Sequence, residues 1–365
     1  MLSPEFRILL LSLRLDDSDA AAYEAGRIIE KSSPDWEQLY RRAEQHSIKP
    51  QLAQLIHRMS SAHVPAALRE KLDISYRNNL YDQIRFADEF FTVRDLLRGA
   101  GVTIIPFKGF WLAHEAYGNI ADRESLDVDV FVNADGLAVI KDLMLKAGYV
   151  EEDTYRRLDI EEIKKDFQEY NFDRQEEDKN VFHIEFHWGI CPPGYGMNIR
   201  FDDLSGQVTR GTFQGRELEV FTPVAQLLLS LLHHGGKDRF VLLKQVYDVA
   251  LLVRSCKETD WDWLVEELRL YNADSLIYIA VYLASVVTGI EVPPEIRERV
   301  ESTRIRRLAR NRLRLMSHGP QSYHTTWFNI SNWLFRLRTR TGLRSGITLT
   351  AATAKAVFLK KMAKS

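Results

Sequence analysis

Asp127, Asp129 and Glu185 are the residues whose types and spacing suggest chemistry. Residues 126–132 read Leu-Asp-Val-Asp-Val-Phe-Val, an alternation that fits a strand. Successive strand side chains point to opposite faces, so Asp127 and Asp129 share one face while Leu126, Val128, Val130 and Val132 take the other and bury against helices. Two neighbouring carboxylates repel each other and are a poor choice for stability alone. A divalent cation removes that penalty, and hard oxygen ligands suit magnesium. Replacing either aspartate should then leave folding nearly intact. A lone Asp-x-Asp also occurs on the wet face of ordinary half-exposed strands, so the pattern needs support from elsewhere.

Residues 181–188 supply it. There Phe182, Ile184, Phe186 and Trp188 form an apolar face, and His183, Glu185 and His187 a polar one. If the two strands are neighbours, Glu185 becomes a third carboxylate beside the aspartates. Three carboxylates can hold two metal ions roughly 4 Å apart, an arrangement that supports in-line phosphoryl transfer. Upstream, Lys108-Gly109 lies where a strand turns into a helix, so backbone N–H groups and the Lys108 charge would face an anion. Arg123, four residues before Asp127, can fork onto a phosphate oxygen. Taken singly, these residues read better as surface cations and a helix-start glycine; together they favour phosphate binding. His187 shares the face of Glu185 and either touches a phosphate or orients a carboxylate. His183, His233, His234 and Asp248 have no assigned role, and Asp248 reads as structural.

The elements around these residues define an α+β chain. Residues 1–100 read as helical, with a helix start at Ser33-Pro34-Asp35 and a long helix over 66–97 that ends at Gly99-Ala100-Gly101. Residues 102–107 form a short apolar strand with Pro106 at its end, and Gly109 opens a helix. An amphipathic helix over 135–147 stops at Gly148. The charged stretch 151–179 reads as a helix and a loop. One more strand is expected over 217–221, and Thr222-Pro223 starts a helix, after which the pattern stays helical. The expected units are a helical region (1–100), an αβ core (101–221), a helical domain (222–300) and a basic helical C-terminal region (301–365).

The string Phe107-Lys-Gly, Tyr117-Gly, Arg123 and Asp127-Val-Asp129, followed by Ala147-Gly148-Tyr149 and Glu185-Phe-His187-Trp188, resembles the bacterial "uncharacterised nucleotidyltransferase" family of the DNA polymerase β-like superfamily. The stretch from Leu227 through His233 and His234 to Asp248 is similar to that family's histidine-bearing helix and the helix that follows. Phe107 replaces the usual Leu, and Lys108-Gly109 stands where the wider superfamily has Gly-Ser. The resemblance implies a small mixed-sheet nucleotidyltransferase core flanked by helical regions. It also implies a Mg²⁺-dependent enzyme, with two ions (Mn²⁺ the alternative) on Asp127, Asp129 and Glu185. Lys108, Gly109, Arg123 and His187 would bind the nucleotide. The donor would be an NTP, ATP being favoured although no residue reads the base. The acceptor, whether protein, peptide, RNA or sugar, is not written in the sequence. Two rivals use the same residues: phosphotransfer from the γ-phosphate, and non-catalytic binding of a nucleotide or polyanion.

The remaining features bound the class. The chain has 365 residues, 45% hydrophobic and 27% charged, an ordinary globular balance. Cys191 and Cys256 are its only cysteines and lack metal-site spacing, which fits a reducing, cytoplasmic compartment. The apolar run 8–13 is too short to span a bilayer and is not followed by a cleavage-site pattern. The net charge of −2 hides an asymmetry: residues 301–365 carry +13 and the other 300 carry −15. Such a tail faces a polyanion, a membrane surface or the acidic body itself. Arg304, Arg306, Arg307, Arg310, Arg312 and Arg314 recur too often for one helix face, with aromatic anchors at Trp327, Phe328, Trp333, Phe335 and Phe358.

Overall fold

The computed structural model describes residues 2–340 apart from 61, 62, 177, 178, 194, 198 and 319–324. The expected anchor Phe358 lies outside the described residues. The chain opens with four short helices, α1 (Pro4–Leu11), α2 (Ser18–Ser32), α3 (Trp36–Gln45) and α4 (Lys49–Arg58). Side chains of Ser3, Asp17 and Asp35 accept hydrogen bonds from the first turns of α1, α2 and α3, satisfying otherwise orphaned N–H groups. Then comes α5 (Ala66–Arg98), 33 residues and so about 50 Å long.

Helix α5 is the spine that positions the site. Its C-terminal half buries Phe86, Phe90, Phe91, Val93 and Leu97 against one face of a five-stranded sheet. Midway along it, two amides hold the segment that leads to the aspartates. Asn79 Nδ2 donates to the carbonyls of Ala121 (2.8 Å) and Arg123 (3.1 Å), and Gln83 accepts from the Ser125 hydroxyl at 2.9 Å. These buried bonds replace a regular element, since backbone groups away from water need partners.

The sheet runs β1-β2-β5-β4-β3, from β1 (Ile104–Pro106), β2 (Val128–Val132), β3 (Val150–Glu151), β4 (Glu169–Glu176) and β5 (Lys179–His187). Strands β2 and β5 are parallel; the other pairs are antiparallel. Helix α6 (Gly109–Leu112) and a π-helical turn (Ala113–Tyr117) follow β1, α7 (Leu137–Lys146) follows β2, and α8 (Ile160–Asp166) precedes β4. Val128, Val130, Val132, Ile184 and Phe186 all point into the core shared with α5 and α7. A hairpin of β6 (Val208–Phe213) and β7 (Arg216–Phe221) stands apart from the sheet. Its Gly211 is required by packing, because a Cβ there would lie 2.5 Å from the Trp111 ring.

The chain then becomes helical: α9 (Pro223–Ser230) runs into a π-helical turn (Leu231–Lys237), followed by α10 (Leu243–Ser255), α11 (Asp260–Leu270), α12 (Ser275–Thr288), α13 (Arg297–Val300), α14 (Thr303–Met316) and α15 (Thr326–Arg338). These helices share one core with α1–α4. No helix among the described residues is long and apolar enough to cross a membrane.

Two readings need correction. The stretch 151–179 contains the helix α8 but also β4 where a loop was expected, and β6 was not anticipated. Strand β2 begins at Val128, not at 126, and Leu126 is 86% exposed instead of buried against helices. In α14, as the spacing of the arginines requires, they do not share one face: Ile305, Leu308, Ala309, Leu315 and Met316 are buried, and one arginine of the six, Arg312, is turned inward with 2% exposure.

Candidate active site

Parallel pairing of β2 with β5 sets Asp129 directly opposite Glu185. Both project from the face away from Val128, Val130 and Ile184, as alternation requires. His187, two residues beyond Glu185, brings Nε2 within 3.1 Å of Asp129 Oδ1 and 3.0 Å of Glu185 Oε2. Donor atoms of Asp129, Glu185 and His187 all lie within 4.8 Å of one another. Asp127 sits half-buried in the bend just before β2.

Lys108 enters from the end of β1, its Nζ 2.6 Å from Asp129 Oδ1 and 3.1 Å from His233 Nε2. Gly109 follows with φ +56°, a left-handed conformation that glycine adopts without the Cβ penalty. The turn thereby reverses direction over the Asp127 carbonyl, 3.6 Å from where a Cβ would be.

The charges balance unevenly. Burial and then the adjacent Asp129 push the Asp127 carboxyl up to about 6, against the opposing pull of Lys108. For Asp129, burial acts upward too, but Lys108 and His187 outweigh it and hold the group well below the usual range. Glu185 is likewise held low despite burial, by hydrogen bonds from His183 and His187 and by Lys108. Burial disfavours charge on Lys108 and His187, yet the carboxylates around them raise both. His233 is pulled down to about 4 by burial and the Lys108 ammonium. Its neutral ring accordingly accepts the Lys108 hydrogen bond.

Arg123 does not open toward this cleft. Its Nε and Nη2 donate to Asp248 at 2.9 and 3.0 Å, both side chains being at most 3% exposed. Asp248 also takes the Tyr117 hydroxyl at 2.6 Å and His234 Nε2 at 3.1 Å. This buried cluster braces the approach to β2, the turn after α6, the turn after α9 and α10 against one another. The structural reading of Asp248 agrees with this geometry, its partners being Arg123, Tyr117 and His234.

Two contributors were not foreseen. Glu169 on β4 lies opposite His187, 3.5 Å from its Nδ1 and 2.7 Å from Lys237 Nζ. Burial acts upward on it, but Lys237 and His187 bring its carboxyl down. Lys244, near the start of α10, donates to the Glu124 carbonyl at 3.0 Å and feels the charge of Asp127. Burial, reinforced by Arg123, disfavours its charge, and it has no ion-pair partner among the described residues. The signal for Glu169 was present: Tyr170 and Phe172 alternate with Glu169, Asn171 and Asp173. Nothing local marks Lys244.

A cation fits the Asp129, Glu185 and His187 donors. Their carboxylate and imidazole atoms converge, and the negative charge of Asp127 is offset only in part by Lys108. At present Lys108 and His187 supply the opposing charge.

A mixed sheet with paired acidic positions on adjacent parallel strands, beside a Lys-Gly turn and flanked by helices, defines a nucleotidyltransferase-type core. The sequence profile of the uncharacterised nucleotidyltransferase family matches residues 32–289, and the chain belongs to that family. No curated protein matches the chain.

Proposed function

We propose that the chain moves a nucleoside monophosphate from an NTP to a hydroxyl of an acceptor and releases pyrophosphate. The observation that carries this reading is the in-register pair Asp129 and Glu185 facing the Lys108-Gly109 turn. Asp127, Asp129 and Glu185 would hold Mg²⁺, which when bound supplies Lewis-acid stabilisation of phosphoryl oxygens.

The protein's own groups do the rest. Backbone N–H groups after Gly109 and the ammonium of Lys108 meet the polyphosphate, where a positive helix terminus favours anions. Lys108 leaves Asp129 as the site fills and exchanges one anion for another. Lys244 takes the phosphate contact that sequence alone assigns to Arg123, because the Arg123 fork is closed on Asp248. His187 keeps the Asp129 and Glu185 carboxylates at a fixed separation. The acceptor oxygen attacks the α-phosphorus, its proton passes through the carboxylate set to solvent, and the bridging P–O bond breaks with its electron pair leaving on pyrophosphate. Most of the acceleration comes from positioning and charge neutralisation.

The test is incubation of the purified chain with each α-labelled NTP, Mg²⁺ and cell lysate, followed by identification of the labelled product. Label on an acceptor with pyrophosphate released supports the proposal. Transfer of γ-label alone, with a nucleoside diphosphate left over, replaces it with phosphotransfer.

A further inference from the structure

Three half-buried arginines converge around Tyr195, next to the turn after α9. Arg336 on α15 lays its guanidinium 4.4 Å from the centre of the Tyr195 ring and donates to the Lys237 carbonyl at 3.2 Å. Arg340 donates to the Tyr195 carbonyl. Arg239, two residues after the turn, has no hydrogen bond or ion pair from its side chain among the described residues, and the buried Nε atoms of both Arg239 and Arg336 lack partners. None of the three has a carboxylate within ion-pair distance among the described residues; Asp238, the nearest attraction for Arg239, is engaged by His233 at 3.2 Å and Gln245 at 2.8 Å. The sequence offers no relief downstream, since residues 302–365 contain no Asp or Glu.

Like charges held together away from water are costly unless something neutralises them. Burial and the neighbouring Arg336 bring the Arg239 guanidinium down to about 10, and Arg340 is lowered by burial and also by Arg336. A guanidinium has a planar donor edge that matches phosphate oxygens. The cavity between Tyr195, Gly236, Arg336 and Arg340 measures about 10 Å³, room for one water, so a larger anion must meet the guanidinium edges outside it.

We propose that Arg239, Arg336 and Arg340 form an anion subsite that takes a phosphate group. Its place in the fold joins it to the carboxylate site: Arg336 holds the Lys237 backbone, Lys237 pairs with Glu169 at 2.7 Å, and Glu169 reaches His187. The phosphates of the NTP are already met by Lys108, Gly109 and Lys244 in the nucleotidyl-transfer reading. On that reading, this second subsite holds a phosphomonoester carried by the acceptor.

The subsite is tested by calorimetric titration of the full chain, without nucleotide and in EDTA, at constant ionic strength. The probes are orthophosphate and glycerol phosphate. Both should bind saturably at one site, about tenfold more weakly in Arg239→Gln and in Arg336→Gln, the loss expected for one charged hydrogen-bonding group. Arg307→Gln, on the exposed face of α14, should bind as the wild type does. Absence of saturable wild-type binding overturns the subsite, whatever the variants do. It is equally overturned if folded Arg239→Gln and Arg336→Gln both bind normally, or if Arg307→Gln weakens binding as much. Binding of orthophosphate but not glycerol phosphate overturns the acceptor role. Because neither metal nor NTP is present, the subsite can fail while nucleotidyl transfer stands, and the reverse.

Discussion

Asp129 and Glu185 face each other across two parallel strands, and one imidazole, His187, lies within 3.1 Å of both. Lys108 completes the set at 2.6 Å from Asp129. The two aspartates of the Asp-Val-Asp motif therefore differ in what they do for the fold. Asp129 neutralises a buried cation, whereas Asp127 sits half-buried with its negative charge incompletely offset.

Asp129→Asn should accordingly destabilise the metal-free chain by roughly 3 kcal/mol, because it leaves the Lys108 ammonium buried with too few anions. Asp127→Asn should do the opposite and raise stability by about 1 kcal/mol, or about 1–2 °C in melting temperature. Thermal melts of the two variants in EDTA decide. Equal effects at the two positions would mean that the charge distribution described above is wrong.

The pair of Arg123 and Asp248 predicts a folding phenotype instead of a binding one. Removing one partner of a buried, doubly bonded ion pair costs about 3–5 kcal/mol. Arg123→Gln and Asp248→Asn should each lower the urea midpoint strongly, and the double variant should be less destabilised than the sum of the two. Additive losses in that double-mutant cycle would show that the two side chains act independently.

Lys244→Ala gives the contrasting case. With only the Glu124 carbonyl as its side chain's hydrogen-bond partner among the described residues, the Lys244 ammonium contributes little to the fold. If it grips phosphate, its loss should weaken NTP binding about tenfold, the cost of one charge-assisted contact, with melting nearly unchanged. Unaltered NTP affinity in an equilibrium titration would remove Lys244 from the phosphate grip.

Much of this site is legible from local pattern. The alternation around Asp129 and Glu185 puts both carboxylates on one sheet face, and Lys108-Gly109 marks a strand-to-helix turn. What escapes is what depends on distant partners. Arg123 finds Asp248 across 125 residues, and nothing near either one announces the pairing. Leu126 continues the alternation in sequence, yet Gln83 and Asn79 hold the preceding segment as a loop, so the strand starts two residues later. Strand β4 is concealed by Glu169, Asp173, Arg174 and Glu176, whose charges obscure the Tyr170 and Phe172 positions. Strand β6 is missed because Phe213 alone of its six residues is buried, which leaves little apolar signal.

His46 supplies a pH dependence away from the carboxylate site. It is fully buried at the end of α3, where Nε2–H donates to the Met316 carbonyl at 3.2 Å and Nδ1 accepts from Leu243 N–H at 3.3 Å. Only the neutral ring can do both. Burial, opposed by the Met316 hydrogen bond, brings its pKa down from 6.5 to about 4. The unfolded chain therefore binds this proton first as the pH falls. The stability contribution is complete above about pH 6.5, is lost between about 6.5 and 4, and reaches roughly 3 kcal/mol at the low end. Urea unfolding from pH 7 to 4.5 should show this loss in the wild type and a flatter profile in His46→Gln. Parallel profiles would show that His46 does not titrate with folding.

The central claim is nucleotidyl transfer at the Asp127, Asp129 and Glu185 carboxylates. Once the acceptor has been found with labelled lysate, the deciding measurement is the rate of α-label incorporation for wild type and Asp127→Asn, each with Mg²⁺ and with EDTA. Asp127→Asn is the informative variant because it should fold at least as well as wild type. Wild-type transfer should depend on Mg²⁺, and the variant should fall by about 10³-fold or more, the loss of roughly 4 kcal/mol of transition-state stabilisation. A folded Asp127→Asn protein that incorporates α-label at the wild-type rate, or wild-type transfer that is unaffected by EDTA, would contradict the account.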